Sequence, residues 1–270
     1  MPPRIVLHFH PGWPFEGDTV LRAIVREGVY RSQWETGTSN GGLTAHIGGD
    51  RWRWESRLFD GQYDQAPPSG RPAYGAWHHT DDPYGAAPRF GSAYLRLRPE
   101  VTQRATYCWP DSVLEPEAMG GQEQLEELCR LSDEGIEDRS LWPEGAAGLP
   151  MDDPLNHYVE AQVHGGVVLR RDVEALVIDP TDREAHADTL AELGCPVEDH
   201  PGYSVTAAEI DPSYRGPVPV DLAMALGGTI TPARLGEVMR VGEQDPQAVK
   251  WLWHCLARFG RCEPQRRGDA

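Results

Sequence analysis

A short alternation of polar and apolar residues between Tyr158 and Gly165 contains the side chains best suited to chemistry. Its sequence is YVEAQVHG, in which Glu160, Gln162 and His164 alternate with apolar residues. A period of two is typical of a β-strand with one polar and one buried face. A carboxylate, an amide and an imidazole on one strand face could position a ligand, so Glu160 is the first candidate for chemistry. The same pattern also fits a solvated strand at the protein surface.

The first elements of the chain are predicted to be a strand and a helix. Residues 4–10 are mainly apolar and end at a Pro-Gly pair, which indicates a strand and a turn. In residues 19–27, TVLRAIVRE, apolar residues have helical spacing, with Asp18 at the N-cap position and Gly28 at the end of the helix. The Gly-rich, hydroxyl-rich segment over residues 30–50 could bring backbone amides to an anion.

Later segments predict further strands and a helical C-terminal part. Residues 51–57, RWRWESR, alternate arginine with other side chains and predict a core strand, although such groups also occur in RNA-stacking platforms. Residues 94–98 and 105–109 alternate as well and predict neighbouring strands. Residues 115–148 are acidic and predict a partly exposed insertion with one amphipathic helix. Residues 217–261 contain three helical patterns.

Composition limits the classes of function. Lys and Arg total 25 against 42 Asp and Glu, a net charge of −17 that repels a phosphate backbone, so general nucleic-acid binding is not expected. No apolar run is long enough to cross a membrane and no secretory leader is recognisable, so we expect a cytoplasmic protein without a membrane partner. The 5 cysteines include no CxxC pair, which indicates neither a disulfide framework nor a cysteine zinc site.

Six segments carry a resemblance to a known family. Their sequences and order, from about residue 4 to about residue 205, resemble a bacterial family catalogued as a domain of unknown function. The segments are LHFHP, YRSQWETGTSNGG, GGDRWRWESR, GAAPRFGSAYLRLRP, TYCWPDS and YVEAQVHG. More distantly, the same order resembles the ADP-ribosyltransferase fold of bacterial toxins, in which a first strand ends in His and a late strand opens with the catalytic Glu.

The resemblance implies a fold and a reaction. The implied fold is α+β, with a pair of antiparallel sheets around a cleft and a C-terminal helical appendage. The implied domains are a catalytic domain over residues 1–205, a small helical subdomain over 206–262 and a flexible tail over 263–270. The implied activity is that of an NAD-dependent ADP-ribosyltransferase or NAD glycohydrolase. NAD is then the substrate, and the acceptor of ADP-ribose is a protein, a nucleic acid, a small molecule or water.

Individual residues receive roles from the same resemblance. Glu160 is implied to be the catalytic carboxylate, which orients the nicotinamide ribose and stabilises the cation that forms as nicotinamide leaves. The implied cofactor-binding residues are His10 at a ribose, Thr38 and Ser39 in support of Glu160, Arg31 at the pyrophosphate, Tyr94 or Tyr107 stacked on the nicotinamide, and Gln162.

Departures from the family pattern leave alternatives open. Tyr158 stands where many active transferases carry Gln or Glu, so modification of arginine is less expected. If Gln162 rather than Glu160 occupied the catalytic position, the chain would lack its carboxylate. It would then be a catalytically silent protein-binding module of the same fold.

A metal-dependent enzyme is the other alternative. His8 and His10 share one face of the first predicted strand. Together with Glu160 or His164 they could supply ligands for zinc or iron, although no third ligand stands at a recognisable spacing. The resemblance itself implies no metal.

Overall fold

The computed structural model describes residues 2–37, 44–144 and 153–263. Within them the strands are β1 (Arg4–Phe9), β2 (Pro14–Phe15), β3 (Asp18–Thr19), β4 (Val29–Tyr30), β5 (Ala73–His78), β6 (Ala93–Leu97), β7 (Ala105–Trp109), β8 (Ala118–Gly120), β9 (Glu160–Val163), β10 (Val167–Val168), β11 (Val173–Ile178) and β12 (Val197–Asp199). The α-helices are α1 (Val20–Glu27), α2 (Gln33–Thr36), α3 (Asp50–Leu58), α4 (Leu125–Glu134), α5 (Leu169–Asp172), α6 (Pro180–Ala185), α7 (Ala187–Ala191), α8 (Pro212–Arg215), α9 (Pro217–Leu226), α10 (Pro232–Val241) and α11 (Pro246–Phe259). This mixture of helix and sheet confirms the predicted α+β class.

Two compact units are each built from separate parts of the chain. The first unit consists of the described residues up to Leu7, Gly28–Asp81 and Arg96–Glu174. The second unit consists of His8–Glu27, Asp82–Leu95 and the described residues from Ala175 onward. Neither unit is one continuous segment of the chain. The domain boundaries expected at residues 205 and 262 stay a prediction.

An antiparallel sheet forms the centre of the first unit, in the strand order β1-β5-β9-β7-β8. Its register places Val6, Ala76, Glu160 and Cys108 in one row across four strands. All four are buried. Strand β9 therefore lies inside this sheet with a neighbour on each side, and the side chains on its polar face lie among other side chains rather than in water.

The acidic segment predicted as an insertion contributes to the core of the first unit. Strand β8 pairs with β7, and α4 packs against β7. The apolar side of α4 buries Leu125 and Leu128. Gly135, directly after the helix, lies close to the ring of Trp109: a Cβ at this position would be 2.4 Å from that ring. The segment therefore adds a strand and a helix to the unit.

Residues 51–57 form most of helix α3, so the prediction of a strand there is wrong. Arg51 and Glu55 lie one helical turn apart and form an ion pair at 3.3 Å. Both are buried together with Trp54. Trp54 and Glu55 follow Arg51 by three and four residues, which is the spacing of side chains on one face of a helix. The alternation of arginine and tryptophan does not correspond to the buried face. The contacts of these side chains with the rest of the unit decide the local structure.

In the second unit, β11 and β12 pair in parallel, with Leu176 opposite Val197. The prediction of purely antiparallel sheets is therefore incomplete. Helices α6 and α7 lie between these strands in the chain. Parallel neighbours need such a crossover, because a short turn can only reverse the chain direction.

The predicted C-terminal helices are present as α9, α10 and α11. Each begins at a proline, Pro217, Pro232 or Pro246, which is suited to the first helical position because its missing N–H has no partner there in any case. The indole N–H of Trp253 in α11 donates to the carbonyl oxygens of Pro88 and Arg89, each at 3.1 Å. The helical segment is therefore packed into the second unit. No helix in the described part of the chain is long and apolar enough to cross a membrane.

Candidate functional site

Glu160 is the first residue of β9 and is only 6% exposed. It lies between Ala76 of β5 and Cys108 of β7. The predicted strand is confirmed, and it ends before a turn in which Gly165 and Gly166 both have positive φ angles of 77° and 71°. The carboxylate is thus fixed in the middle of the sheet of the first unit.

Neutral donors surround this carboxylate. The amide Nε2 of Gln162 donates to Glu160 Oε1 at 2.8 Å, and the backbone N–H of Ser112 donates to Oε2 at 3.4 Å. The thiol of Cys108 is 3.7 Å from Oε1. All three of these groups are uncharged. Its negative charge is therefore only partly compensated.

Burial, followed by the charge of the nearby Asp111 carboxylate, raises the pKa of Glu160 to about 8. The hydrogen bonds from Gln162 and Ser112 and the charge of Arg51 act in the opposite direction but do not cancel the burial. Asp111 itself accepts a hydrogen bond from the phenol of Tyr158. A buried carboxyl group that titrates near neutral pH is a typical feature of functional sites.

Further polar groups continue along the same face of the sheet. The hydroxyl of Thr106 donates to Gln162 Oε1 at 2.7 Å and lies 3.0 Å from His164 Nε2. The other ring nitrogen of His164 lies 2.5 Å from the hydroxyl of Tyr63. Burial, reinforced by the charge of Arg104, lowers the pKa of His164, so the ring is neutral at physiological pH.

A second buried carboxylate lies near this face. Glu55 of α3 is fully buried and binds the guanidinium groups of Arg51 at 3.3 Å and Arg71 at 2.8 Å. The hydroxyl of Tyr74 and the indole N–H of Trp34 also donate to it, both at 2.9 Å. Four donors, two of them cationic, satisfy Glu55, which therefore acts as a structural ion pair that anchors α3.

An open groove of about 470 Å³ lies on the first unit. Its lining residues are Thr44, Asp50, Arg53, Trp54, Arg57, Val113 and Glu115. Val113 follows Ser112, whose amide contacts Glu160, in the short 3-10 helix Ser112–Leu114. The volume is within the range of small-molecule sites, roughly 300–1,000 Å³.

His10 lies in the second unit, directly after β1. Its ring is stacked on Trp13 with centroids 3.9 Å apart, and the edge of Trp253 approaches at 4.8 Å. Burial lowers the pKa of His10 to about 3, with smaller contributions from His8 and Lys250. A neutral imidazole has one donor and one acceptor, which suits contact with a hydroxyl group.

The other predicted cofactor-binding residues have different surroundings. Tyr94, in the second unit, is 1% exposed, and its hydroxyl donates to the carbonyl of Pro83 at 3.2 Å, so its position does not favour stacking on a ligand. Tyr107 pairs opposite Ala161, on the face of the sheet away from Glu160. Arg31 is half-buried in the first unit. Thr38 and Ser39 lie outside the described residues.

The geometry around His8 does not favour the metal site considered above. Its Nδ1 lies 3.1 Å from the carbonyl of Gly91, and its Nε2 accepts the N–H of Ala87 at 3.3 Å. Both ring nitrogens are thus occupied by the backbone. Among the residues that the structure describes, no group of three or more His, Cys, Asp and Glu side chains is arranged to hold a metal ion.

Sequence reasoning missed several residues around Glu160. Thr106 and Cys108 stand on a correctly predicted strand, and their alternation with Tyr107 was a signal that they share a face. The position of Asp111 and Ser112 beside β9 had no local signal, because it depends on the pairing of β7 with β9.

Comparison with solved structures finds similarity to DarT of Thermus sp. 2.9, in complex with NAD+ and in complex with ADP-ribosylated ssDNA. Both matches show 13% sequence identity and cover 73% of this chain. They cover 94% and 93% of the two DarT chains, with TM-scores of 0.40 and 0.38. No curated protein matches the sequence. A family model matches residues 4–141 and 135–259, and the chain therefore belongs to the family described as protein of unknown function (DUF3626).

Proposed function

We propose that this protein cleaves the bond between nicotinamide and ribose in NAD+, as an ADP-ribosyltransferase or an NAD glycohydrolase. The observation that carries the proposal is Glu160, a buried carboxylate on an inner strand that is held by neutral donors and whose pKa is raised by burial to about 8. The resemblance of the sequence to ADP-ribosyltransferases agrees with this assignment and gives the same residue the catalytic role.

The chemistry suits a carboxylate in such surroundings. Nicotinamide in NAD+ is already a cationic leaving group, and positive charge develops on the ribose as the bond breaks. A carboxylate that is fixed before the reaction stabilises this charge more strongly in a buried site than in water. Glu160 is held by Gln162 and Ser112 and would also accept a hydrogen bond from a ribose hydroxyl. Its role is therefore to orient the ribose and stabilise the cation.

The raised pKa of Glu160 fits this role. With a pKa of about 8, the free protein holds much of this carboxyl group in the neutral form at pH 7. A cationic nicotinamide nearby would favour the ionised form, since an opposite charge lowers the pKa of a carboxyl group. Binding of NAD+ would then release a proton and place the charge where the reaction needs it.

The remaining parts of the assignment stay predictions. They concern the roles of His10, Arg31, Thr38 and Ser39 at the cofactor, the acceptor of ADP-ribose, and a cytoplasmic location. The proposal commits only to cleavage of NAD+ by means of Glu160. Water as the acceptor would make the protein a glycohydrolase.

The proposal is tested by following both products of NAD+. Purified protein is incubated with NAD+ labelled in the nicotinamide and, separately, in the adenylate part. We expect release of nicotinamide, with the adenylate label either as free ADP-ribose or attached to an acceptor. If neither label moves and calorimetry detects no NAD+ binding, the catalytically silent protein-binding module replaces the enzyme.

A further inference from the structure

A chain of hydrogen bonds within the first unit ends at Glu160. It runs from the hydroxyl of Tyr63 to His164 at 2.5 Å, from His164 to Thr106 at 3.0 Å, and from Thr106 to Gln162 at 2.7 Å. The last bond joins Gln162 to Glu160 at 2.8 Å. Each distance lies in the range of a true hydrogen bond.

The direction of each bond follows from the chemistry of its atoms. The side-chain carbonyl of Gln162 can only accept, so the single hydroxyl hydrogen of Thr106 points toward it. The oxygen of Thr106 must then accept from His164, which places the hydrogen of the neutral ring on Nε2. The Nδ1 atom of His164 accepts from the hydroxyl of Tyr63. Every donor in the chain therefore points toward Glu160.

The amide of Gln162 has a partner for each of its groups in this orientation. Besides its bond to Glu160, Nε2 lies 3.2 Å from the sulfur of Cys108. If the amide were turned over, its carbonyl oxygen would face the carboxylate of Glu160, which is unfavourable for two acceptors. The hydroxyl of Thr106 also disfavours the reversed amide, because its hydrogen would then face the amide NH2 group instead of the carbonyl oxygen that accepts it.

We propose that Thr106 and His164 are positioning residues that fix the side-chain amide of Gln162, so that it donates to Glu160 and favours the ionised carboxylate. The reaction in which this matters is the proposed function above, and the effect on the carboxyl group itself does not depend on turnover. His164 fixes the hydroxyl of Thr106, and Thr106 fixes the amide. Neither residue touches the carboxylate directly.

The test compares three variants of the full-length protein. Thr106→Val removes the hydroxyl with little change in volume, and Thr106→Ser keeps a hydroxyl. Thr102→Val is the control, because Thr102 is a buried threonine of the same unit whose hydroxyl donates to the carbonyl of Pro99 at 2.7 Å, away from Glu160. Two quantities are measured: the pH dependence of nicotinamide release, and the titration of the Glu160 carboxyl carbon by NMR, assigned with Glu160→Gln.

Loss of the Thr106 hydroxyl is expected to raise the titration midpoint of Glu160 by about one pH unit. Nicotinamide release at pH 7 would then fall about tenfold in Thr106→Val, and the rates would converge with those of wild type at high pH. Thr106→Ser should restore the wild-type midpoint, and Thr102→Val should leave it unchanged.

The proposal is overturned if the midpoint of Thr106→Val equals that of wild type in a folded protein, or if Thr102→Val shifts it equally. Failure of the proposed function has a different signature. In that case no variant releases nicotinamide, while the NMR midpoint of Thr106→Val still moves and the positioning role stands.

Discussion

The side-chain amide of Gln162 donates a 2.8 Å hydrogen bond to the carboxylate of Glu160, two residues earlier on the same strand. Residues at this spacing share one face of a strand, and both are buried in the sheet. The amide is neutral, so it fixes the position of the carboxylate without neutralising its charge. This relationship explains how Glu160 is held rigidly while its pKa stays raised to about 8.

Replacement of Glu160 by Gln should change how the stability of the protein depends on pH. Because the pKa of Glu160 is raised from 4.5 to about 8, the folded state holds a proton between these values that the unfolded state has lost. The stability that this proton contributes is fully present below about pH 4.5 and is lost as the pH rises through 8. The glutamine variant has no such titration.

Urea denaturation between pH 5 and pH 9 measures this effect. The stability of Glu160→Gln relative to wild type should increase with pH, by an amount on the order of a few kcal/mol over the whole range. A difference between the two proteins that stays constant with pH would show that Glu160 titrates normally.

Glu55 should contribute to the stability of the folded protein and not to cleavage of NAD+. Glu55→Ala leaves the buried guanidinium groups of Arg51 and Arg71 without their carboxylate. Breaking a buried ion pair in this way typically costs about 3–5 kcal/mol. Thermal denaturation measures the loss. Glu127→Ala on α4 is the control, because Glu127 forms an ion pair with Arg130 at the protein surface, and its removal should cost only about 0–1 kcal/mol. Equal effects of the two variants would contradict the structural role of Glu55.

The sequence predicted the surroundings of Glu160 better than it predicted α3. The alternation from Glu160 to His164 correctly placed three polar side chains on one face, because the period of a strand is a local property. The alternation of arginine and tryptophan in residues 51–57 gave a false strand. That segment is helical because Arg51 and Glu55 reach Tyr74, Arg71 and Trp34, which are distant in sequence.

The division of the chain into two units could not be predicted from the sequence, for a related reason. Three of the five boundaries between them fall inside β1, β6 and β11, where the chain shows no linker composition. A strand that continues through a boundary has the same local pattern as any other strand. Only contacts between distant residues define the two units.

Gly75 on β5 should not tolerate even one added carbon. A Cβ there would lie 2.4 Å from the carbonyl oxygen of Val6 and 2.5 Å from Leu7 Cδ2, so Gly75→Ala would push β1 away from β5. We expect a loss of about 2 kcal/mol or more, typical of overpacking in a core. Gly70→Ala is the control, since its new atom would meet Pro67 at an ordinary 3.4 Å. If both variants melted at the same temperature, the close approach of β1 and β5 would be wrong.

His254 on α11 should make the second unit sensitive to acid. It is 3% exposed, and neither ring nitrogen has a hydrogen-bond partner among the described residues. Burial, followed by the charges of Arg89 and Arg215, lowers its pKa from 6.5 to about 2. The unfolded state therefore binds a proton below pH 6.5 that the folded state excludes, so this contribution to stability is lost as the pH falls.

Replacement of His254 by Leu removes both the unpaired ring and its titration. We expect Leu to stabilise the protein by about 1–2 kcal/mol at pH 7, because a buried polar group without a partner is removed. The advantage should grow as the pH falls from 7 to 5, as measured by urea denaturation. A variant that is less stable than wild type at both pH values would contradict this explanation of His254.

The central claim, that Glu160 cleaves NAD+ through its carboxylate, is tested most directly by nicotinamide release with enzyme in excess over NAD+ at pH 8.5. Wild type, Glu160→Gln and the surface control Glu127→Gln are compared after circular dichroism shows that all are folded. We predict release by wild type and by the control, and a loss of about 100-fold or more in Glu160→Gln. Release at the wild-type rate by Glu160→Gln would contradict the claim.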